Sequence, residues 1–403
     1  MARTQEVVST ADVETAIPTA DEIIARARAL VPTLRERARQ AEKNRRIPDE
    51  TIAEMQAAGL FRVLQPKRWG GYEMHPNVFY DTMITLAEGD MSTAWCYGVI
   101  GCHNWQMGLF DDQAAQDVWS KDTSVLVSST YMLTGKAMPV DGGYRFSGHW
   151  RFSSGSEHCD WIFLGGLVDP ESGNTDARTF LLPRKDYEIV DTWDVHGLRA
   201  TGSHDIVVKD VFVPEYRTHK MVDGLMCNSP GNAVNTAPLY RMPFAQIFIR
   251  SVSTSAIGAL QHMLDEFIEY GRVRTTVTGA KTAQDASAQM VCAEAAASID
   301  EMKTVLHHNM NVMYDKAANG VFVPIPDRLM YRYQSAEVPE RCSNLAQRIF
   351  KAGGGSAAFN TKPFSRIFAD ISTGRQHAAN QADSIGRNWG AVMLGLDNTD
   401  YFI

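Results

Sequence analysis

A chain of 403 residues, 44% hydrophobic and 21% charged, is long enough for two or three packed subdomains and reads as globular. Its net charge of -8, with acids spread along the chain and no basic run, argues against nucleic acid or an anionic membrane as a main partner. No stretch approaches the roughly 18 apolar residues of a membrane span. The start, MARTQEVVST, lacks a secretory apolar core, and the six cysteines are scattered without a C-x-x-C pair, so free thiols in a reducing cytoplasm are expected.

Periodicity divides the chain into a helical zone (1–124), a β zone (125–217) and a loop with a second helical zone (218–403). In the first, DEIIARARALVPTLRERARQAEKN carries apolar residues at three- and four-residue spacing. PDETIAEMQAAGLF starts on Pro48-Asp49 and stops near Gly59. FYDTMITLAEGDMSTAWCYGVIGCHNWQMGLF reads as buried helix with a break at Gly89-Asp90. In the second, SVLVSSTY, GGYRFSGHWRFSSG, DWIFLGGLV, RTFLLPR, YEIVDTWDV and HDIVVKDVFVP predict an antiparallel β module punctuated by Gly142-Gly143, Pro170 and Pro183. Next, THKMVDGLMCNSPGNAVNTAPLYRMPF reads as a long loop, of a length that usually covers a site. The last zone is helical, broken at Gly353-Gly354-Gly355.

No G-x-G-x-x-G follows a strand and no P-loop is present, so a self-sufficient nicotinamide enzyme is disfavoured. The adjacent His307 and His308 cannot face one metal from the same side of a helix. His103, in an apolar helical run, reads on its own as a satisfied core residue. His377, in STGRQHAAN, reads as a surface loop. WRFSSGSEHCDW (150–161) reads as a strand interrupted by small hydroxyls, and GLRATGS (197–203) as a turn before an edge strand.

Several phrases in order carry more than their separate readings: NRRIPDETI, LFRVLQPKRWGG, STAWCYGVIGCHNW, SST, FSSGSEH, GLRATGS, IVVKDVFVPEYR and TGRQHAAN. Together with the helical–β–helical order they resemble the acyl-CoA dehydrogenase fold, and within it the oxygenase components of two-component, reduced-flavin-dependent aromatic monooxygenases. These include hydroxylases of 4-hydroxyphenylacetate and of a phenolic steroid-degradation intermediate. The resemblance implies an α+β chain with an N-terminal helical domain, a middle antiparallel β-barrel domain and a C-terminal four-helix bundle, assembled as a tetramer. It implies reduced FMN or FAD from a separate NAD(P)H-dependent flavin reductase, with O2 forming a C4a-hydroperoxyflavin that hydroxylates an aromatic ring.

It also implies roles. Ser154 would donate its hydroxyl to flavin N5, with Ser153 and Gly155 allowing a close approach to the ring. His103 would act as base on a phenol, a role suited to an imidazole with a reference pKa of about 6.5. His377 would place a positive charge on the oxygen side. Ser129 would line the substrate and flavin, and Arg272 or Arg274 would bind the flavin phosphate as a guanidinium fork. The loop 217–244 would shape the pocket, with Arg241 its one carboxylate clamp. His158 has no assigned role. Three rival readings stand beside this one. An acyl-CoA dehydrogenase would need a carboxylate base, for which Glu269 and Asp370 are the nearest candidates. A scaffold without chemistry is the second. Hydroxylation of an indole acid rather than a phenol is the third.

Overall fold

The computed structural model describes residues 17–173 and 175–403. Among the described residues, five helices come first: α1 (Ala20–Asn44), α2 (Asp49–Ala57), α3 (Pro76–Ala87), α4 (Met91–Met107) and α5 (Asp112–Trp119). α1 begins with a capping box in which the Thr19 side chain accepts the Glu22 N–H and the Glu22 carboxylate accepts the Thr19 N–H. The expected break at Gly89-Asp90 is a restart, because Asp90 caps α4 by accepting the Thr93 N–H at 2.8 Å. All 17 residues of α4 are buried. A helix without a polar face belongs in the middle of a molecule, and α4 packs against α3, the sheet and the helices that follow it.

The sheet comprises β1 (Val127–Val140), β2 (Gly143–Ser153), β3 (Trp161–Val168), β4 (Ala177–Pro183), β5 (Glu188–Val190), β6 (His204–Pro214) and β7 (Thr218–Lys220), in the order β5-β6-β2-β1-β3-β4-β7. Five of its six neighbouring pairs are antiparallel, but β1 and β3 run parallel. The reason is the excursion at 154–160: β2 reverses beside β1, then this segment carries the chain across to β1's other edge. The sheet is therefore mixed rather than purely antiparallel. It is open rather than closed, with three-residue edge strands β5 and β7. Trp150 anchors β2: it has no exposed surface, and its indole N–H donates to the Gly165 carbonyl at 2.8 Å.

The helices that complete the chain are α6 (Met221–Met226), α7 (Phe244–Ser251), α8 (Ser255–Val273), α9 (Ala286–Ala318), α10 (Ile325–Gly353), α11 (Phe364–Gly374) and α12 (Ala382–Met393). α8, α9, α10 and α11 pack as the C-terminal bundle. Segment 217–244 is not a bare loop. It holds β7, α6 and two 3-10 turns, and it is pinned to the end of α4. Gly231 donates to the Leu109 carbonyl at 3.0 Å and Asn235 to the Gly108 carbonyl at 2.9 Å. Trp105 donates to the Leu239 carbonyl at 2.9 Å. Two of the Gly and Asn residues that suggest a loop, Gly231 and Asn235, supply the first two of these bonds.

Candidate active site

Register places the first half of the site. Ser153 of β2 pairs with His204 of β6, so Ser154, which leaves β2, lies beside Ser203, which enters β6. Gly155 then turns the chain at φ 67° and donates its N–H to the Thr201 carbonyl at 2.8 Å. The Ser154 and Ser203 hydroxyls are 2.7 Å apart, and those of Ser203 and Thr201 2.6 Å. Thr201 donates to the Leu198 carbonyl at 2.8 Å, and Trp95 of α4 donates its indole N–H to Ser154 at 3.1 Å. A carbonyl only accepts, so Thr201's single hydroxyl hydrogen is spent on Leu198. Ser203 must then donate to Thr201, and Ser154 to Ser203. The expectation that Ser154 offers a hydrogen outward is corrected: its hydrogen points into the protein, and what it presents is a lone pair.

The turn feeding this chain is held by a buried acid. The Leu198 N–H donates to Asp370 of α11 at 2.6 Å, and the Arg366 guanidinium lies 2.9 Å from Asp90 and 3.6 Å from Asp370. Gly197 lies so close to the Ala369 carbonyl that a Cβ would collide with it. Burial pushes the Asp370 carboxyl up to about 7, with Arg366 opposing.

His103 lies two turns along α4 from Trp95, about 12 Å by helical rise. It is completely buried, and Nδ1 lies 2.7 Å from the Val127 carbonyl at the start of β1. That contact requires Nδ1 to carry the proton, which leaves Nε2 as a bare acceptor with no partner among the described residues. Burial pulls the imidazole down to about 4, only partly offset by the Val127 carbonyl, so it is neutral near pH 7. Phe163 and Tyr131 stand edge-on to it at 5.7 and 6.2 Å.

His377 is half-buried and also drawn down to about 4, by desolvation first and then by the Arg332 guanidinium. The positive charge expected on His377 therefore resides on Arg332, which donates to the Ala379 carbonyl. His377 Nδ1 accepts the Ala379 N–H at 3.1 Å, so in the neutral ring Nε2 carries the hydrogen. Trp95 lies 5.7 Å from it and Phe248 6.5 Å. Phe248 in turn meets Tyr131 at 4.8 Å. One aromatic wall thus runs from Ser154 through Trp95, His377, Phe248 and Tyr131 to His103. Phe402 of the C-terminal segment packs on it, 5.8 Å from Phe248.

Other expected residues sort differently. Ser129 is half-buried near the Tyr131 hydroxyl, which donates to Gln106. Ser153 is wholly buried, so its side chain faces inward, and the clearance at Gly155 is toward Ile100 and Cys96 of α4 rather than toward a ligand. Arg272 is exposed and paired with Glu269, while Arg274 donates to the Ala352 carbonyl at 2.9 Å and lies on Gly354. Among the described residues no hydrogen bond, ion pair or ring contact joins either arginine to Ser154, His103 or His377. Arg241 is exposed, so it clamps nothing inside. Glu269 is exposed and Asp370 is tied to a backbone N–H, so neither stands as a free carboxylate base. His158 proves structural. Its Nδ1 lies 3.1 Å from Asp49 and 3.4 Å from Arg46, fastening the helical and β layers together. Sequence reasoning missed Trp95, Tyr131, Phe248, Arg332, Thr201 and Ser203. Trp95 sits in STAWCYGVIGCHNW and Tyr131 in SVLVSSTY without a signal of their own, whereas Thr201 and Ser203 sit in GLRATGS, whose hydroxyl content is a usable signal.

The residues fit a flat heteroaromatic cofactor. Ser154 keeps one free lone pair, while His103 Nε2 and Gln106 Nε2 are buried without partners. Phe152, two residues before Ser154 and 55% exposed, lies 5.3 Å from Trp193. Comparison with known proteins agrees. The acyl-CoA dehydrogenase N-terminal domain matches residues 18–114 and the acyl-CoA dehydrogenase C-terminal domain residues 251–382. The flavin-dependent monooxygenase, oxygenase subunit HsaA, of Rhodococcus jostii is 39% identical over 93% of this chain and 99% of its own. The FADH(2)-dependent resorcinol hydroxylase, oxygenase component, of a Rhizobium species is 28% identical over 93% and 94%. The crystal structure of 3-HSA hydroxylase from Rhodococcus sp. RHA1 superposes with a TM-score of 0.90 at 38% identity, covering 95% of this chain and 99% of that one. The chain belongs to the oxygenase subunits of the two-component flavin-dependent monooxygenases, built on the acyl-CoA dehydrogenase fold.

Proposed function

We propose that this subunit hydroxylates a phenol, using reduced FMN or FAD delivered by a separate NAD(P)H-dependent flavin reductase, and that it works as a cytoplasmic homotetramer. Reduced flavin, when bound, supplies the electrons that activate O2. The observation that carries the reading is the fixed tautomer of His103. A buried, neutral imidazole, flanked edge-on by Phe163 and Tyr131, keeps a bare Nε2 that can accept a phenol O–H. The proton it takes is held against a phenolate, and that new charge raises the imidazole's basicity above its empty-site value. An electron-rich phenolate ring is what an electrophilic oxygen requires.

His377 works from the other end of the wall. Its Nε2–H is a neutral hydrogen-bond donor backed by the Arg332 charge, suited to a developing negative oxygen. The aromatic side chains between the two histidines keep water out. Ser154, with Trp95 fixing its oxygen, meets the polar edge of the flavin, and Ser129 and Tyr131 border the substrate. Arg272 and Arg274 reach a flavin phosphate across a subunit contact, with Arg274 held at the Gly353–Gly355 junction. The exposed Met393, Leu394 and Leu396 at and after the end of α12 give apolar surface for assembly.

The test supplies enzymatically reduced flavin and O2 to the purified protein and screens phenols against indole acids, measuring hydroxylated product against hydrogen peroxide. Phenols should give product and indole acids mainly peroxide. Product from NADH and substrate without a reductase would overturn the two-component reading. Rapid reduction of a dye by acyl-CoA substrates would overturn the class.

A further inference from the structure

We infer that the chain of hydroxyls Ser154–Ser203–Thr201, ending on the Leu198 carbonyl, selects the redox state of the flavin, with Ser203 and Thr201 as the positioning residues. This rests on the reading that Ser154 meets flavin N5.

Each link has one permitted direction. The Leu198 carbonyl receives the Thr201 hydroxyl at 2.8 Å, the Trp193 indole N–H at 2.9 Å and the Thr201 N–H at 3.2 Å. It is a saturated acceptor, so the Thr201 hydrogen is tied to it. The 2.6 and 2.7 Å contacts that follow can then form only if Ser203 donates to Thr201 and Ser154 donates to Ser203. Ser203 and Thr201 are 3% and 2% exposed, so water does not compete for these positions. Trp95 takes one lone pair of Ser154, and a single lone pair is left.

N5 of a reduced flavin carries a hydrogen and donates; N5 of an oxidised flavin carries a lone pair and accepts. A Ser154 oxygen locked as an acceptor bonds the first and sets lone pair against lone pair with the second. The protein thereby favours the form its partner delivers and releases the spent one. Nothing charged is needed: the discrimination follows from which way one hydrogen points, and that is decided two hydroxyls away, at a backbone carbonyl.

Breaking the chain should free the hydrogen. In Ser203→Ala, Ser154 has no inward acceptor and can turn its hydrogen out to an oxidised N5. In Thr201→Val, Ser203 is released to donate to Ser154, with the same result. Ser203→Thr keeps the acceptor. The experiment measures dissociation constants for oxidised and for reduced flavin, FMN and FAD separately, the latter anaerobically, by flavin fluorescence or absorbance. The wild type should prefer the reduced form. Ser203→Ala and Thr201→Val should shrink that preference about fivefold, the scale of one neutral hydrogen bond, chiefly by tightening the oxidised form. Ser203→Thr should restore the wild-type ratio. A wild-type ratio in Ser203→Ala, with Ser154→Ala altered, would overturn the chain as the selector. An unaltered ratio in Ser154→Ala as well would overturn the placement of Ser154 at N5 itself.

Discussion

His103 and His377 start from the same chemistry and end as opposites. His103 is fully buried and His377 half-buried, both are drawn down to about 4 chiefly by desolvation, and both are neutral near pH 7. They differ in one backbone partner. Nδ1 of His103 faces a carbonyl, so it must hold the hydrogen and Nε2 becomes an acceptor. Nδ1 of His377 faces a backbone N–H, so it must lack the hydrogen and Nε2 becomes a donor. Burial fixes the charge state; the secondary-structure element fixes the role. A helix mid-section beside a strand start produces the acceptor, and a cap position before a 3-10 turn produces the donor.

The sharpest way to break this comparison is to remove the base. His103→Ala should lower product formation by roughly 10²–10⁴-fold, the usual scale of general acid–base catalysis. Flavin oxidation should continue, its electrons appearing as hydrogen peroxide. Rapid-quench measurement of product per flavin oxidised checks it, and unchanged coupling would remove His103 from proton transfer. The wild-type acid limb of kcat/KM should lie near 4, not near 6.5, because the free site's imidazole stays neutral down to that range.

The donor end should give a smaller effect that can be divided. His377→Asn can still accept the Ala379 N–H but does not extend a hydrogen to the Nε2 position. About tenfold poorer coupling is expected, without loss of stability. His377→Leu loses the cap as well and should cost about 1 kcal/mol of unfolding free energy besides. Equal stability of the two variants, measured by denaturant titration, would show that the cap is immaterial.

Much of this was legible before the fold was known, and the remainder was not for definite reasons. The buried character of α4 followed from its lack of any polar face, and the restart at Asp90 from a glycine followed by a capping residue. Ser154, His103 and His377 were reachable through phrases that co-occur in order. The hydrogen-bond polarity of Ser154 and His103 was not, because it depends on partners 49 and 24 residues away in sequence, Ser203 and Val127; that of His377 depends on a cap to Ala379 that forms only once the chain turns there. The same limit explains the two reversals. A histidine beside an arginine reads as part of a cationic patch until burial is known, and a serine reads as a donor until its own acceptor is found. The parallel β1–β3 pair was hidden too, since alternation along a strand carries no information about the direction of its neighbour.

If burial is what neutralises both histidines, stability must record it. His103, His377 and His219 all fall to about 4 in the folded protein, while the unfolded chain protonates them near 6.5. Between those values the unfolded state binds more protons, so stability falls as pH falls. By pH 5 each histidine should cost about 2 kcal/mol relative to pH 7. Denaturant midpoints across pH 4.5–7.5 should show this slope, and His219→Gln, away from the aromatic wall, should remove about 2 kcal/mol of it between pH 5 and pH 7.

A buried acid supplies the converse and, as one group against three, the smaller effect. Desolvation raises Asp370 to about 7, so its folded value lies above its unfolded one. The stability it contributes is complete below about pH 4 and is lost as pH rises through 7. Over the window in which the histidines lose stability on acidification, Asp370 therefore opposes them. Asp370→Asn keeps an oxygen for the Leu198 N–H and removes the ionisable proton. Between pH 5 and pH 8 it should gain about 2 kcal/mol on the wild type, provided the Arg366 guanidinium stays satisfied by Asp90 at 2.9 Å. A variant that instead loses ground to the wild type over this range would mean that the ionised carboxylate's pairing with Arg366 outweighs its desolvation. The charge at this turn would then be an asset of the fold, and burial alone would not explain the matched neutrality of the two histidines.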